Sequence, residues 1–546
     1  MKKGYIEKRR LLPVLLMLAV FMLLVVPVFA GGNRQSGTQQ AAQATDKMTS
    51  IKVMQYKLDN QQIDFENLWF YKELERKTGV KVIWEVVAQS AWDTRRNLVF
   101  ASGDLPDLFR SGGINVEEYG VTQKQIVPLD PYIQTSMPNY YSRLYMNDAD
   151  KAMYASDGHM YWIANLTAQN VNHIGNHYIN KTWLDALGMA IPTTVDQLTA
   201  VLRAFRDRAP NGNAATVLPF AAGGDNNRPL LDRTQGLGPH FGMFGVPLHE
   251  NGAQTVGNYA AINAQGKVQF VTDYPGFRPA LEWLAMCYSE GLLDRESLTQ
   301  NSSEWAVKVN AGRVGFFSYL RLINSALSAD AGANFVSILP PASQYGVQVA
   351  RMIEVPEAHA YVSRTNRYVA QTLQWLDAQL ETETMMISYN GPLLAGGPIP
   401  PTMRVVDGKF DVITVPEANV LYSVVPVWHA LFFAPGDYYF PIFNMPPHRV
   451  ERYETSKAYM EAGVLEPGSY TILNNLIKPD NNDSAELSRL ITDIDRFVQE
   501  SVANFIQRGV TDATYTAFMR EITNVGVPRY ITLLQKYYDV YAASVK

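Results

Sequence analysis

The sequence predicts an α/β protein of at least two domains. Three observations lead there: a strand–helix–strand unit opens the folded region, the chain is longer than one hydrophobic core serves, and the stretch from Ser484 onward reads as helix alone.

Order begins at Ile51–Met54, a short alternating run that reads as a strand. A helix is expected from Phe65 to Thr78, stopped by Gly79. Val80–Val87, rich in β-branched residues, is the second strand. Two strands joined by a helical crossover imply a parallel sheet. Trp92–Ser102 reads as helix and Leu108–Phe109 as a short buried strand. Further helices are expected at Lys181–Leu187, Thr194–Arg208, Pro279–Glu290 and Arg367–Gln379, and strands at Val268–Val271 and Arg313–Phe317. Ser484–Ile506, Asp512–Asn524 and Arg529–Ala543 follow as three helices, with Ser484 and Asp512 as N-caps.

Ahead of the fold, Lys2, Lys3, Lys8, Arg9 and Arg10 form a basic head, Leu11–Phe29 an apolar run, and Val28-Phe29-Ala30 a small-x-small exit. Residues 1–30 therefore read as a cleaved export signal. A permanent membrane anchor is the alternative for a run of this length; Pro13, Pro27 and the exit favour cleavage. Residues 31–48 carry little to bury and read as a flexible linker. The sole cysteine, Cys287, lies far from the exit, so no lipidated cysteine follows it and no intramolecular disulfide can form. Its helical apolar surroundings predict a buried, unreactive thiol.

Without residues 1–30, 516 remain; the signal carries +4, so a chain of net −5 leaves −9 on the remainder. Nucleic acid and anionic membrane both demand a positive face, so neither is expected as a partner.

Enzyme signatures are missing. The sequence holds no His-Glu-x-x-His, no Gly-x-Ser-x-Gly and no Ser-x-x-Lys. His173 and His177 have the spacing of a helical zinc pair, but Gly175 and the β-like Tyr178-Ile179 argue against a helix, and no metal site is expected. Gly236–Gly242 superficially matches a dinucleotide loop; its spacing is wrong and Pro239 removes a donor, so it reads as a turn. Paired carboxylates for glycoside hydrolysis stay open, because the fold sets their separation. What the chain does hold is 9 Trp, 30 Tyr and 23 Phe, many beside turn residues, as in Tyr161-Trp162, Phe316-Phe317-Ser318-Tyr319 and Trp428. Flat rings suit the apolar faces of sugars; a place in the core is the alternative for each.

Several segments resemble one family, the extracellular solute-binding proteins of bacterial ABC importers, in its long sugar-receptor branch. LVFASGDLPDL at 98–108 is similar to the branch's "LASGDLPDI", IVPLD at 126–130 to its "PLD" strand-turn, and DGHMYW at 157–162 to "DGKiYglP". YINKTWLDALG at 178–188 with Pro192-Thr193-Thr194 resembles "inkeWLDkLGlk-PTT". YSEGLLD at 288–294 resembles "yyeGLIDPE", and Trp375-Leu376-Asp377 resembles "kwLDyly". The likeness runs from about residue 50 to the end.

The resemblance implies a two-lobed type II periplasmic-binding fold, with a hinge and a ligand cleft between the lobes. Lobe one is expected to take residues 49–174 and about 350–425, lobe two 175–349 and about 426–546. It implies a non-catalytic, monomeric receptor that binds a sugar or oligosaccharide and delivers it to membrane permease subunits. Peptide or other polar-solute receptors, a sensor subunit and an exported glycan-active enzyme are the alternatives. Much of the branch is lipid-anchored; lacking the anchoring cysteine, this chain is expected free in the periplasm. Some relatives carry a calcium loop, "DpNgNgkkDE". Here Ala209, Val217 and Leu218 replace its acids, so no calcium and no cofactor are expected. By analogy the ligand-binding candidates are Arg110, Ser111, Trp162, Asn165, Phe317, Tyr319, Arg321 and Trp428. For Arg110 and Arg321, a structural ion pair is the alternative to binding a uronic carboxylate.

Overall fold

The structure, a computed structural model, describes residues 49–544 apart from 60, 147–149, 151–152, 168–171, 174, 224–229, 233–235, 249–255, 264, 320–326, 350, 353–355, 394–396, 415–417, 445–453, 456, 460, 465–476 and 478. The expected signal, the linker and Arg321 lie outside the described residues.

The chain makes four passes. In the first, β1 (Thr49–Lys57), β2 (Val80–Ala88) and β3 (Leu108–Arg110) pair in parallel, with β1 central, Ile51 opposite Val82 and Val53 opposite Leu108. The helix between β1 and β2 runs Trp69–Thr78. It starts later than expected because the Asp64 carboxylate takes the Asn67 N–H at 3.2 Å and holds a turn. It ends as expected: Gly79 takes φ 68°, and Arg76 and Lys77 lie at the negative end of the helix dipole. β4 (Ile163–Thr167) completes this pass, and β5 (Asn172–His173) carries the chain across.

In the second pass β6 (Asn176–Asn180), β7 (Leu218–Phe220), β8 (Ala260–Ile262), β9 (Val268–Phe270), β10 (Val314–Tyr319) and β11 (Phe335–Ile338) follow. Four of them form a second sheet, ordered β11-β6-β10-β7, in which β6 alone runs antiparallel. β12 (Arg351–Met352) returns and pairs antiparallel with β5.

In the third pass β13 (Glu357–Val362) inserts between β3 and β4, antiparallel to both. β14 (Met403–Val406) and β15 (Lys409–Val412) form a hairpin. β16 (Phe433–Ala434) joins β4 in parallel, and β17 (Phe443–Asn444) joins β15. In the fourth pass helices Asn481–Arg508, Asp512–Asn524 and Val527–Ser544 return to the second core and close the chain. The first two are capped by Asp480 and Thr511, not by Ser484 and Asp512. The Asp480 carboxylate accepts the N–H groups of Asn482 and Asp483, so the helix starts earlier than its apolar periodicity.

Two large cores result. One draws on residues from Ile51 to Leu166 and from Ala360 to Phe443; the other on residues from Ile179 to Ile338 and from Ile477 to Tyr537. The expected change of lobe at 426 needs correction, because Val427, Leu431, Phe432, Phe433, Tyr439 and Phe443 belong to the first core.

β4 leaves the first sheet by its carboxyl end and β6 enters the second by its amino end, with the β5–β12 ribbon between them. Both sheets thus present one rim to this ribbon. In lobe one it comprises the carboxyl ends of β1, β3 and β4 and the amino end of β13. In lobe two it comprises the carboxyl ends of β7, β10 and β11 and the amino end of β6.

Candidate functional site

In open α/β sheets ligands lie beyond the carboxyl ends of the strands, so these two rims define the candidate cleft. On lobe one, Ser111 and Gly112 follow β3 with φ of 58° and 77°. The Ser111 N–H is bonded to the His359 carbonyl at 2.6 Å, which turns the chain away from the sheet. The Trp92 indole lies hard against Gly112, where an added Cβ would stand 2.5 Å from Trp92 Nε1. Trp92 packs edge-on against Tyr56, near the end of β1, at 5.6 Å. Burial, with Asp59 and Asp93 nearby, raises the Tyr56 phenol. Asp59 accepts the backbone N–H and hydroxyl of Ser90 at the start of the helix Gln89–Ser102. On lobe two, Tyr319 ends β10 opposite Asn176 and stacks on Trp305 at 4.7 Å.

Several expected site residues lie elsewhere. Arg110 is fully buried and does not open into the cleft. Its guanidinium donates to the Tyr71 hydroxyl at 2.8 Å, to His359 Nε2 at 2.9 Å and to the His429 carbonyl. It also lies 5.2 Å from the Trp375 ring centre. Neither an ion pair nor a ligand contact describes it: it is a cation held by neutral acceptors and aromatic faces. Phe317 is fully buried among Tyr178, Trp305 and Phe335. Trp162 belongs to the first core. Asn165 is spent within lobe one: its amide donates to the Ala430 carbonyl at 3.3 Å and accepts the Phe432 N–H at 2.8 Å. The backbone of Trp428 lies in the turn Val427–His429. Ser111 and Tyr319 thus stand on the rims; Arg110, Trp162 and Asn165 are spent inside lobe one and Phe317 inside lobe two. Sequence reasoning missed Tyr56, Trp92 and Gly112. The one available signal was a tryptophan in the first turn of the helix that follows a strand's carboxyl end.

Below lobe one's rim, His429 sits between two glutamines. Its Nε2 lies 2.7 Å from Gln61 Oε1 and its Nδ1 3.4 Å from Gln55 Nε2, so the neutral tautomer protonated at Nε2 satisfies both. Burial, then the charges of Arg110 and Lys57, hold the His429 imidazolium pKa down at about 4. Burial and the same Arg110 push His359 well below the usual imidazole range. In lobe two, burial does the same to His240, 5.1 Å from His177. His177 lies in β6, so the His173/His177 pair is not helical, as the sequence indicates. Among the described residues no group of three His, Cys, Asp or Glu could hold a metal ion, and no helix is long and apolar enough to cross a membrane.

Residues 60–277 match the family model of bacterial extracellular solute-binding proteins. The fructooligosaccharide ABC transporter substrate-binding protein FusA of Streptococcus pneumoniae is 24% identical over 508 residues, 87% of each chain. Lipoprotein LipO of Bacillus subtilis is 25% identical over 351 residues, 59% of this chain and 62% of its own. Among solved structures, an extracellular solute-binding protein of Bifidobacterium longum subsp. infantis superposes with a TM-score of 0.77 at 21% identity, covering 91% of this chain and 99% of that one. FusA in complex with kestose gives 0.69 at 22% identity, covering 91% and 100%. The fold is therefore the two-lobed type II solute-binding fold, and the β5–β12 ribbon lies where the chain passes between its two sheets. The likeness to the bacterial extracellular solute-binding proteins thus covers residues 60–277 by the family model and 87% of the chain by the match to FusA.

Proposed function

We propose that this protein is the extracytoplasmic receptor of an ABC importer, binding an oligosaccharide between its lobes and handing it to the permease subunits. The observation that carries the reading is the match to FusA, which spans both lobes and 87% of each chain. At the rims the half-buried Tyr56 on one side and Tyr319 on the other, backed by the buried Trp92 and Trp305, are the rings placed for a sugar face to meet. The protein acts as a non-catalytic monomer, free in the periplasm after loss of residues 1–30. Closure about the ribbon reshapes the outer surface that a permease reads.

No calcium takes part. In the loop 209–218, Asn211 Oδ1 accepts the Asn213 N–H and Asn213 Oδ1 the Ala215 N–H, each at 3.0 Å. Arg313 Nε donates to the Thr216 carbonyl at 3.1 Å. Calcium needs six or more oxygens with carboxylates among them; this loop supplies carboxamides and an arginine. Micromolar calcium should leave the melting temperature unchanged, and a rise would refute the point.

A thermal-shift screen against fructooligosaccharides, other glycans, amino acids and short peptides tests the reading. A ligand at 100 times its dissociation constant adds about 2.7 kcal/mol. Stabilisation by one glycan class, with the glycan recovered intact, is the expected result. Stabilisation by peptides alone overturns the substrate, and glycan turnover overturns the receptor.

A further inference from the structure

A cavity of about 560 Å³ opens between the helices Trp69–Thr78 and Thr382–Asn390 of lobe one. None of its lining residues belongs to the two rims. Its volume is that of a site for a small organic ligand. Phe70 and Leu74 of the first helix, Ile387 of the second, and Pro392 and Leu393 beyond it make the lining apolar. Phe70 and Leu74 are four residues apart and buried, so they form one fixed stripe. At one end Lys77 reaches across to Glu381 and, at 3.3 Å, to the Thr384 hydroxyl. At the other end, about 12 Å along the first helix, stands the half-buried Trp69.

The charges around this cavity do not cancel. Arg76 is paired with Glu73 at 2.7 Å, and Lys77 with Glu381. Glu383 also lines the cavity; it is exposed, and no cation among the described residues pairs with it. Three carboxylates therefore face two cations, and the one left over borders an apolar bowl. Such a surplus favours a cation over an anion of the same shape.

We infer that the cavity is a second ligand site and that it takes an organic ammonium ion. The apolar body of the ligand lies against Phe70, Leu74, Ile387 and Leu393, and its ammonium group meets the Glu383 carboxylate. The site is separate from the cleft between the lobes, and the inference does not depend on what that cleft binds.

Three probes of one shape test it: 3-phenylpropylamine, 3-phenylpropanol and 3-phenylpropanoate, each titrated at low salt into the full protein. With the 9 tryptophans labelled as 5-fluorotryptophan, the fluorine resonance that Trp69→Phe removes reports on the cavity. It should move most readily with the amine, less readily with the alcohol and least with the carboxylate. Glu383→Gln changes an exposed side chain and should fold normally. It should weaken the amine roughly two- to fivefold, as expected for one exposed ion pair, and leave the alcohol unchanged. Salt at about 1 M should weaken the amine in the same way. Ile387→Phe narrows the cavity and should weaken amine and alcohol alike. Equal binding of the three probes, or an amine affinity that Glu383→Gln leaves unchanged, overturns the choice of a cation. A Trp69 line that no probe moves, or binding that Ile387→Phe does not weaken, overturns the site itself.

Discussion

Mild acid should destabilise this protein through its buried histidines. His429 has an ordinary imidazole pKa near 6.5 in the unfolded chain and about 4 in the fold, where burial and the charges of Arg110 and Lys57 oppose a second cation. The folded value is the lower one, so between these limits the unfolded state binds more protons and stability falls as pH falls. At pH 5 the unfolded ring is almost fully charged and the folded ring almost fully neutral. The difference in proton binding is then about 2 kcal/mol for this group alone, at about 1.36 kcal/mol per pKa unit. His359, shifted by burial and Arg110, and His240, shifted by burial and His177, act in the same direction. Asp377, whose pKa burial raises, acts in the opposite direction. The shifted surface carboxylates, such as Glu290 beside Arg203 and Asp483 beside Lys536, have their pKa lowered, so their contributions are lost only in stronger acid. Melting temperature at fixed ionic strength, from pH 7 to pH 5, is the assay. About 2 kcal/mol corresponds to roughly 4–8 °C for a lobe-sized cooperative unit. His429→Gln keeps an amide between Gln55 and Gln61 and cannot titrate, so it should melt lower at pH 7 yet lose less between pH 7 and pH 5. An identical loss in variant and wild type would refute the assignment, and a flat wild-type profile would refute the whole argument.

Three further outcomes follow from packing and capping. Gly112→Ala places a Cβ 2.5 Å from the Trp92 indole at φ 77°, and should cost about 1–3 kcal/mol in a urea melt; Gly113→Ala, which meets nothing within 4 Å, is its control and should be near neutral. Asp377 Oδ1 caps the Tyr140 N–H at 2.9 Å and Oδ2 the Asn139 side chain at 2.9 Å. Asp377→Ala should therefore cost about 1–3 kcal/mol by leaving the start of the helix Pro138–Leu144 open, and Asp377→Asn less, as its remaining oxygen still accepts. Cys287 is fully buried and burial raises its thiol pKa, so a thiol reagent should titrate nothing in the native protein and one equivalent in denaturant.

The segments that made the family legible in the sequence are the ones that latch the fold. Asp107 of the Asp-Leu-Pro-Asp run takes the Lys52 N–H at 2.8 Å, and its own carbonyl takes Ser363 N–H and Asn366, joining β1 to the end of β13. Asp130 of the Pro-Leu-Asp turn takes the Met160 N–H at 3.1 Å, binding two motif segments to each other. Asn180 and Thr194 cap the helices Lys181–Leu187 and Val195–Arg208. Asp294 holds the buried ammonium of Lys308 at 2.6 Å. Such residues must be aspartate, asparagine or threonine at a set distance from a backbone N–H or a cation, so spacing along the chain reveals them.

The cleft leaves no such trace. Its parts, Trp92, Gly112 and Tyr319, come from separate strand ends brought together by the sheets, and each reads locally as an ordinary core aromatic or turn glycine. The same blindness explains Arg110. A cation at a strand's carboxyl end reads as a ligand contact until the third pass supplies His359 and the His429 carbonyl, hundreds of residues away, to bury it. It also explains the change of lobe placed too early, because what keeps residues 427–443 in the first core is a set of side-chain bonds from Arg110, Asn165 and Gln379 and not any hydrophobic period of its own. Local chemistry marks where this chain is fastened. What it fastens in place, the facing rims of two sheets, is a property of topology, and only the register of β13 and β16 against β4 makes it visible.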